Sequence, residues 1–114
     1  MKKTIEKYAE KFESSSCLTP QFKDFWLSFN REFKKLLKEL DAVETSISRG
    51  HFYVSGFFKL ADDRIYYFSL GDVRWDKGSM LIRTATDFKD FSGGSNGFIR
   101  FDENIKENLK TFLN

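Results

Sequence analysis

Residues 49–75, RGHFYVSGFFKLADDRIYYFSLGDVRW, constrain the fold of this chain more than any other stretch. Their period of two around an Asp62-Asp63 step is the pattern of two β-strands joined by a tight turn. Most strands set an apolar face against a polar one. Here large rings stand on both faces. A sheet that is apolar on both sides must be covered twice, or must present one side to a partner. Which of the two holds is the functional question.

A hairpin tip at Asp62-Asp63 predicts the pairing. One face carries Phe52, Val54, Phe58, Leu60, Ile65, Tyr67 and Val73, with Gly56, Ser69 and Gly71 small enough to admit a helix backbone. The other face carries His51, Tyr53, Ser55, Phe57 and Lys59 opposite Arg74, Asp72, Leu70, Phe68 and Tyr66.

Before the hairpin the period is 3.6. Ile5, Tyr8, Ala9 and Phe12 give one buried stripe on a helix over 3–13, ended by Ser14-Ser15-Ser16. Thr19-Pro20 opens a second helix as N-cap and first helical position. Its stripe is Phe22, Phe25, Trp26, Phe29, Phe33, Leu36, Leu37 and Leu40. Val43 and Ile47 extend the same spacing toward a C-cap at Gly50. A helix that long runs ~40 Å at ~1.5 Å per residue, wider than a small sheet, so a bend or break is expected near Asp41. After the hairpin, Asp76-Lys77-Gly78 turns the chain. Strands are expected over 80–86 and 97–101. Asp102 caps a last helix with the stripe Ile105, Leu109, Phe112 and Leu113. The predicted order is ααββββα: a single α+β domain over 1–114, with two N-terminal helices, a four-stranded antiparallel meander-like sheet and a C-terminal helix.

Composition narrows the classes. Nineteen Lys and Arg against 17 Asp and Glu leave a net charge of +2, too balanced to indicate a nucleic-acid binder by charge alone. Cys17 is the only cysteine, which rules out an intrachain disulfide and a cysteine cluster for zinc. No apolar run approaches the ~20 residues of a membrane helix. The opening MKKTIEKYAEKFE has two lysines but no apolar core of a signal peptide. The expectation is a cytoplasmic monomer or small homo-oligomer with no cofactor and no membrane partner.

Four constellations carry candidate chemistry. Arg31, Lys34, Lys35 and Lys38 fall at i, i+3, i+4 and i+7, opposite the apolar stripe of the second helix. Such a row can neutralise phosphates, and it is also how a solvated outer face looks. His51, Tyr53, Asp72 and Arg74 meet at one end of the hairpin. A histidine beside a carboxylate can act as a base, but no nucleophile is tied to it by a motif, and cross-strand polar pairing explains the same residues. The loop 87–97, DFKDFSGGSNG, is glycine-rich and carries Phe88, Lys89 and Phe91, with Arg83 and Arg100 flanking it on strands. It lacks the GxxxxGK[ST] phosphate-binding pattern. Its two phenylalanines fit either an anchor for a partner or a closure over the second sheet face. Finally, Arg49-Gly50-His51-Phe52-Tyr53-Val54 begins like the RNP1 element of RNA-recognition motifs. It departs from that element at its third and fourth positions, and the ααββββα order is not the βαββαβ order of that fold.

The segments GHFYVSGFFKL, YYFSLGDVRW and MLIRTATDFKDFSGGSNGF resemble small accessory proteins of conjugative elements and phages in low-GC Gram-positive bacteria. The likeness covers 50–98. It implies a context, a cytoplasmic accessory or counter-defence protein, and carries over no activity and no functional residue.

The expectation is a non-enzymatic module that binds a protein partner through Tyr53, Phe57, Phe68, Phe88, Lys89 and Phe91. The alternative is nucleic-acid binding, with Tyr53, Phe57, Tyr66 and Phe68 stacking bases, Lys59, Arg64, Arg74 and Arg83 on phosphates, and Arg31, Lys34, Lys35, Lys38 and Arg100 as further phosphate contacts.

Overall fold

A computed structural model of the chain describes residues 4–5, 20–49, 53–71, 79–91, 94–100 and 104–113. The side chains of residues 20–22 lie outside that description, as do Thr19, the turn 76–78 and Asp102. The elements are α1 (Pro20–Glu39), β1 (Ala42–Arg49), β2 (Val54–Leu60), β3 (Ile65–Leu70), β4 (Ser79–Ala85), β5 (Gly97–Arg100) and α2 (Ile105–Leu113). The strands form one antiparallel sheet in the order β1-β2-β3-β4-β5. The α+β class and the meander are as expected. The helix expected over 3–13 lies outside the described residues except for Thr4 and Ile5, which are helical.

The sheet has five strands rather than four. The additional strand is β1, where the spacing of Val43 and Ile47 predicts a longer helix reaching toward Gly50. The helix stops at Glu39 because Asp41 takes a left-handed backbone, φ 70°, which ends the α-helical ladder. Leu40 and Asp41 close the last turn by donating to the Leu37 and Lys38 carbonyls at 3.0 and 3.2 Å. Beyond it, AVETSISR alternates with β-branched residues. A four-residue spacing such as Val43 to Ile47 suits both a helix face and a strand face, so spacing alone does not separate them.

The hairpin is one residue out of the expected register. Val54 pairs with Leu70, Gly56 with Phe68 and Phe58 with Tyr66. The connection is a three-residue loop, not a two-residue one: Leu60 N–H donates to the Arg64 carbonyl at 2.8 Å, and Asp63 sits at φ 72°. That left-handed third position is the geometry of the three-residue hairpin with a bulge. A one-residue slip turns a whole strand over. Tyr66, Phe68 and Leu70 therefore join Val54, Phe58 and Leu60 on one face, and Ile65, Tyr67 and Ser69 join Ser55, Phe57 and Lys59 on the other. Phe68, expected on the partner-binding face, is fully buried on the helix side.

Both helices cover that side. Phe25, Phe29, Phe33 and Leu37 of α1 lie in one core with Val54, Phe58, Phe68, Leu70, Met80, Ile82, Ile99 and the Ile105, Leu109, Leu113 stripe of α2. Rings run through it: Phe29 stacks on Phe33 at 5.3 Å, and Phe33 meets Phe68 edge-on at 4.9 Å. The approach that Gly56 permits is made by a strand rather than a helix. A Cβ there would overlap the Ser46 carbonyl oxygen and lie 2.9 Å from Ile47 Cα.

Candidate functional site

The second face of the sheet carries no helix among the described residues. Its floor follows from register. One row across it is Ser48, Ser55, Ser69, Leu81 and Phe98, and the next is Ser46, Phe57, Tyr67 and Arg83. What covers the second row is the loop after β4. Phe88 stacks on Phe57 at 5.6 Å with planes 15° apart. Phe91 sets its edge against Phe57 at 5.3 Å and Tyr67 at 6.0 Å. Phe57 is thereby only 4% exposed, although no helix touches this side among the described residues. The closure anticipated for these phenylalanines is made by Phe88, which is half-buried. Phe91 does both: its edge seals Phe57, and 64% of it remains in solvent.

Local hydrogen bonds shape the loop. The Asp90 carboxylate accepts from the Thr86 backbone N–H at 2.9 Å and from its hydroxyl at 3.2 Å. Asp87 accepts from the Lys89 N–H at 2.7 Å, an Asx turn that explains why aspartates recur here. Arg83 ties the loop to the sheet. Its guanidinium lies 4.4 Å over the Tyr67 ring and donates to the Phe91 carbonyl. Its Nε is buried and has no hydrogen-bond partner among the described residues. Gly94, at φ +74°, returns the chain so close to β4 that a Cβ would meet Thr84 Oγ1 at 2.5 Å.

Beyond the loop the face is open. Phe98 is 69% exposed, and Tyr53, at the entry to β2, is also exposed. Leu81, between Ser69 and Phe98, is half-buried. A phenylalanine ring left in water forgoes roughly 1.5–3 kcal/mol of burial, and two lie on this side. Single exposed rings are ordinary; several on one face of one sheet form a patch.

The cations expected to accompany these rings do not gather around them. Arg83 is engaged by Tyr67 and Phe91. Lys59 pairs with Asp63 at 3.3 Å. Arg64 is held by Asp62 at 2.8 Å, by the Tyr66 hydroxyl and by the Leu113 carbonyl. The bond from the Arg64 N–H, helped by its guanidinium, keeps the Asp62 carboxyl below the ordinary carboxylate range, and Asp62 in turn raises Arg64. Arg100 and Lys89 are exposed. Arg31, Lys34, Lys35 and Lys38 are all exposed on α1, across the sheet from the open face. His51, Asp72 and Arg74 lie outside the described residues, so the polar end of the hairpin is represented by Tyr53 alone.

Concavities lie in two other places. A cleft of ≈ 410 Å³ opens between the end of α1, the hairpin tip and α2, lined by Glu39, Asp62, Arg64, Lys106 and Lys110 among others. Four of its charges are matched, Lys106 with Glu39 at 3.3 Å and Arg64 with Asp62. Along the seam between α1 and the edge strand β1 lie two shallower depressions. No group of three or more His, Cys, Asp or Glu side chains among the described residues is placed to hold a metal ion. No helix among them is long and apolar enough to cross a membrane.

No protein-family model, no curated protein and no solved structure matches the chain. What the site can do therefore follows from its own geometry.

Proposed function

We propose that the chain is a non-enzymatic binding module that holds a protein partner on the open face of its sheet. The observation that carries this reading is Phe91, packed by its edge on Phe57 and Tyr67 yet 64% exposed. A rigid aromatic that is pre-positioned by neighbours loses little entropy when a partner covers it, which is how interface anchors work. Phe98 and Tyr53 extend the patch, and the row of serines between them supplies hydroxyls for a polar rim. An accessory or counter-defence role in a conjugative element or phage is part of the proposal. It rests on the likeness of residues 50–98 to such proteins. Nucleic-acid binding through the same rings has less support, because the cations beside them are paired or few.

Single substitutions separate anchor from closure. Phe91→Ser is expected to weaken capture of the partner from native host extract by about tenfold or more. Its melting temperature should stay within about 2 °C of the parent, as for a largely exposed residue. Phe88→Ser is expected to lower the melting temperature markedly, because it uncovers Phe57. Undiminished capture by a folded Phe91→Ser protein would remove the proposal.

A further inference from the structure

The seam between α1 and β1 has features of a second binding site, distinct from the aromatic face. β1 runs back along α1. Lys34 and Lys38 lie beside 42–45, and Lys23, Trp26 and Leu27 lie beside 47–49, lining two depressions of ≈ 420 Å³ each. β1 is the end strand of the sheet, and among the described residues no strand pairs with its outer edge. Apolar side chains mark the seam: Val43 is 64% and Leu27 52% exposed, with Trp26 and Ile47 half-buried.

The flank of α1 that faces this seam is basic. At 3.6 residues per turn, Lys23, Lys34 and Lys38 share the flank that faces β1. Asp24 lies on the outer surface, and Glu32 and Glu39 fall on the opposite flank beside Lys35, where Glu32 accepts from the Thr4 hydroxyl and Glu39 pairs with Lys106. Arg49 closes the far end of the seam. Lys23, Lys34, Lys38 and Arg49 make no ion pair among the described residues, and Glu44 is the only carboxylate lining the two depressions.

We infer that an acidic, extended segment of a partner protein adds to β1 as a sixth strand in this seam. The strand edge supplies main-chain donors and acceptors, and the apolar positions take alternate side chains of the incoming strand. The flanking lysines and Arg49 select carboxylates. A phosphate chain would satisfy the cations but would use neither the strand edge nor the apolar side chains beside it, so a peptide is the better fit.

Trp26 lines the seam, and only one other tryptophan is present, so Trp75→Phe leaves Trp26 as the sole indole reporter. The probe is a capped peptide of about ten residues with Val and Glu taking turns at every second position and Ser between them, so that both kinds of side chain face α1; it is long enough to span β1 at ~3.3 Å per residue. The expected result is a saturable change in Trp26 fluorescence and slowed amide exchange across 43–49. Lys34→Glu combined with Lys38→Glu should weaken binding by about tenfold or more. Phe91→Ser should leave it unchanged, which separates this site from the aromatic face. Four results would each overturn the inference: no saturable signal; no protection of β1; equal binding of the same peptide with Lys in place of each Glu; or tighter binding of single-stranded oligo(dT), which would assign the seam to nucleic acid.

Discussion

Phe68→Ala is expected to destabilise the domain by about 3–5 kcal/mol, the cost of emptying a large aromatic site in a packed core. Phe68 is fully buried, 4.9 Å from Phe33 and 6.3 Å from Phe58, so α1 and β2 lose their common contact together. At roughly 4 °C per kcal/mol for a domain of this size, the melting temperature should fall by roughly 12–20 °C. Phe98→Ala is the matched control. Its ring is 69% exposed, and the change should cost no more than about 0.5 kcal/mol. Denaturant titration of both variants measures the difference. A two-residue hairpin tip would place Phe68 on the open face and make the two variants alike. The comparison therefore tests the register as well as the packing.

Gly56→Ala is expected to cost about 3 kcal/mol or more, a large penalty for one methyl group. The added carbon would overlap the Ser46 carbonyl oxygen and crowd Ile47 Cα at 2.9 Å. Both are backbone, so no side chain can swing aside, and the strand itself must move. The loss should be local before it is global: amides of β1 are expected to exchange faster while the β2–β3 ladder stays protected. Gly71→Ala provides the contrast, because nothing among the described residues lies within 4 Å of the Cβ that alanine would add there, and the change should be close to neutral.

These two substitutions mark where the sequence is readable and where it is not. The Phe25, Phe29, Phe33, Leu37 stripe and the Ile105, Leu109, Leu113 stripe are legible because each repeats one period over several turns. The strands after the hairpin are legible within a residue or so of their ends, at Ser79–Ala85 and Gly97–Arg100. β1 is not, because Val43 and Ile47 satisfy both periods, and what decides between them is the left-handed turn at Asp41. The hairpin's faces are not, because Asp62-Asp63 fits either loop length and a single residue reverses every side chain. Phe88 and Phe91 are legible as candidates. Their division of labour is not, because it depends on Phe57 and Tyr67 lying beneath them, and that follows only from the register.

The same register makes Phe91 and Phe98 exposed rings of one face, with Phe98 at the edge where Asn108 and Thr111 of α2 come close. Site-specific photocrosslinking tests whether the partner sits there. With p-benzoylphenylalanine in place of Phe98, a covalent adduct with the captured partner is expected. The same group in place of Lys35, exposed on the outer surface of α1, should give none. An adduct from position 35 with none from position 98 would contradict the assignment of the open sheet face as the binding surface.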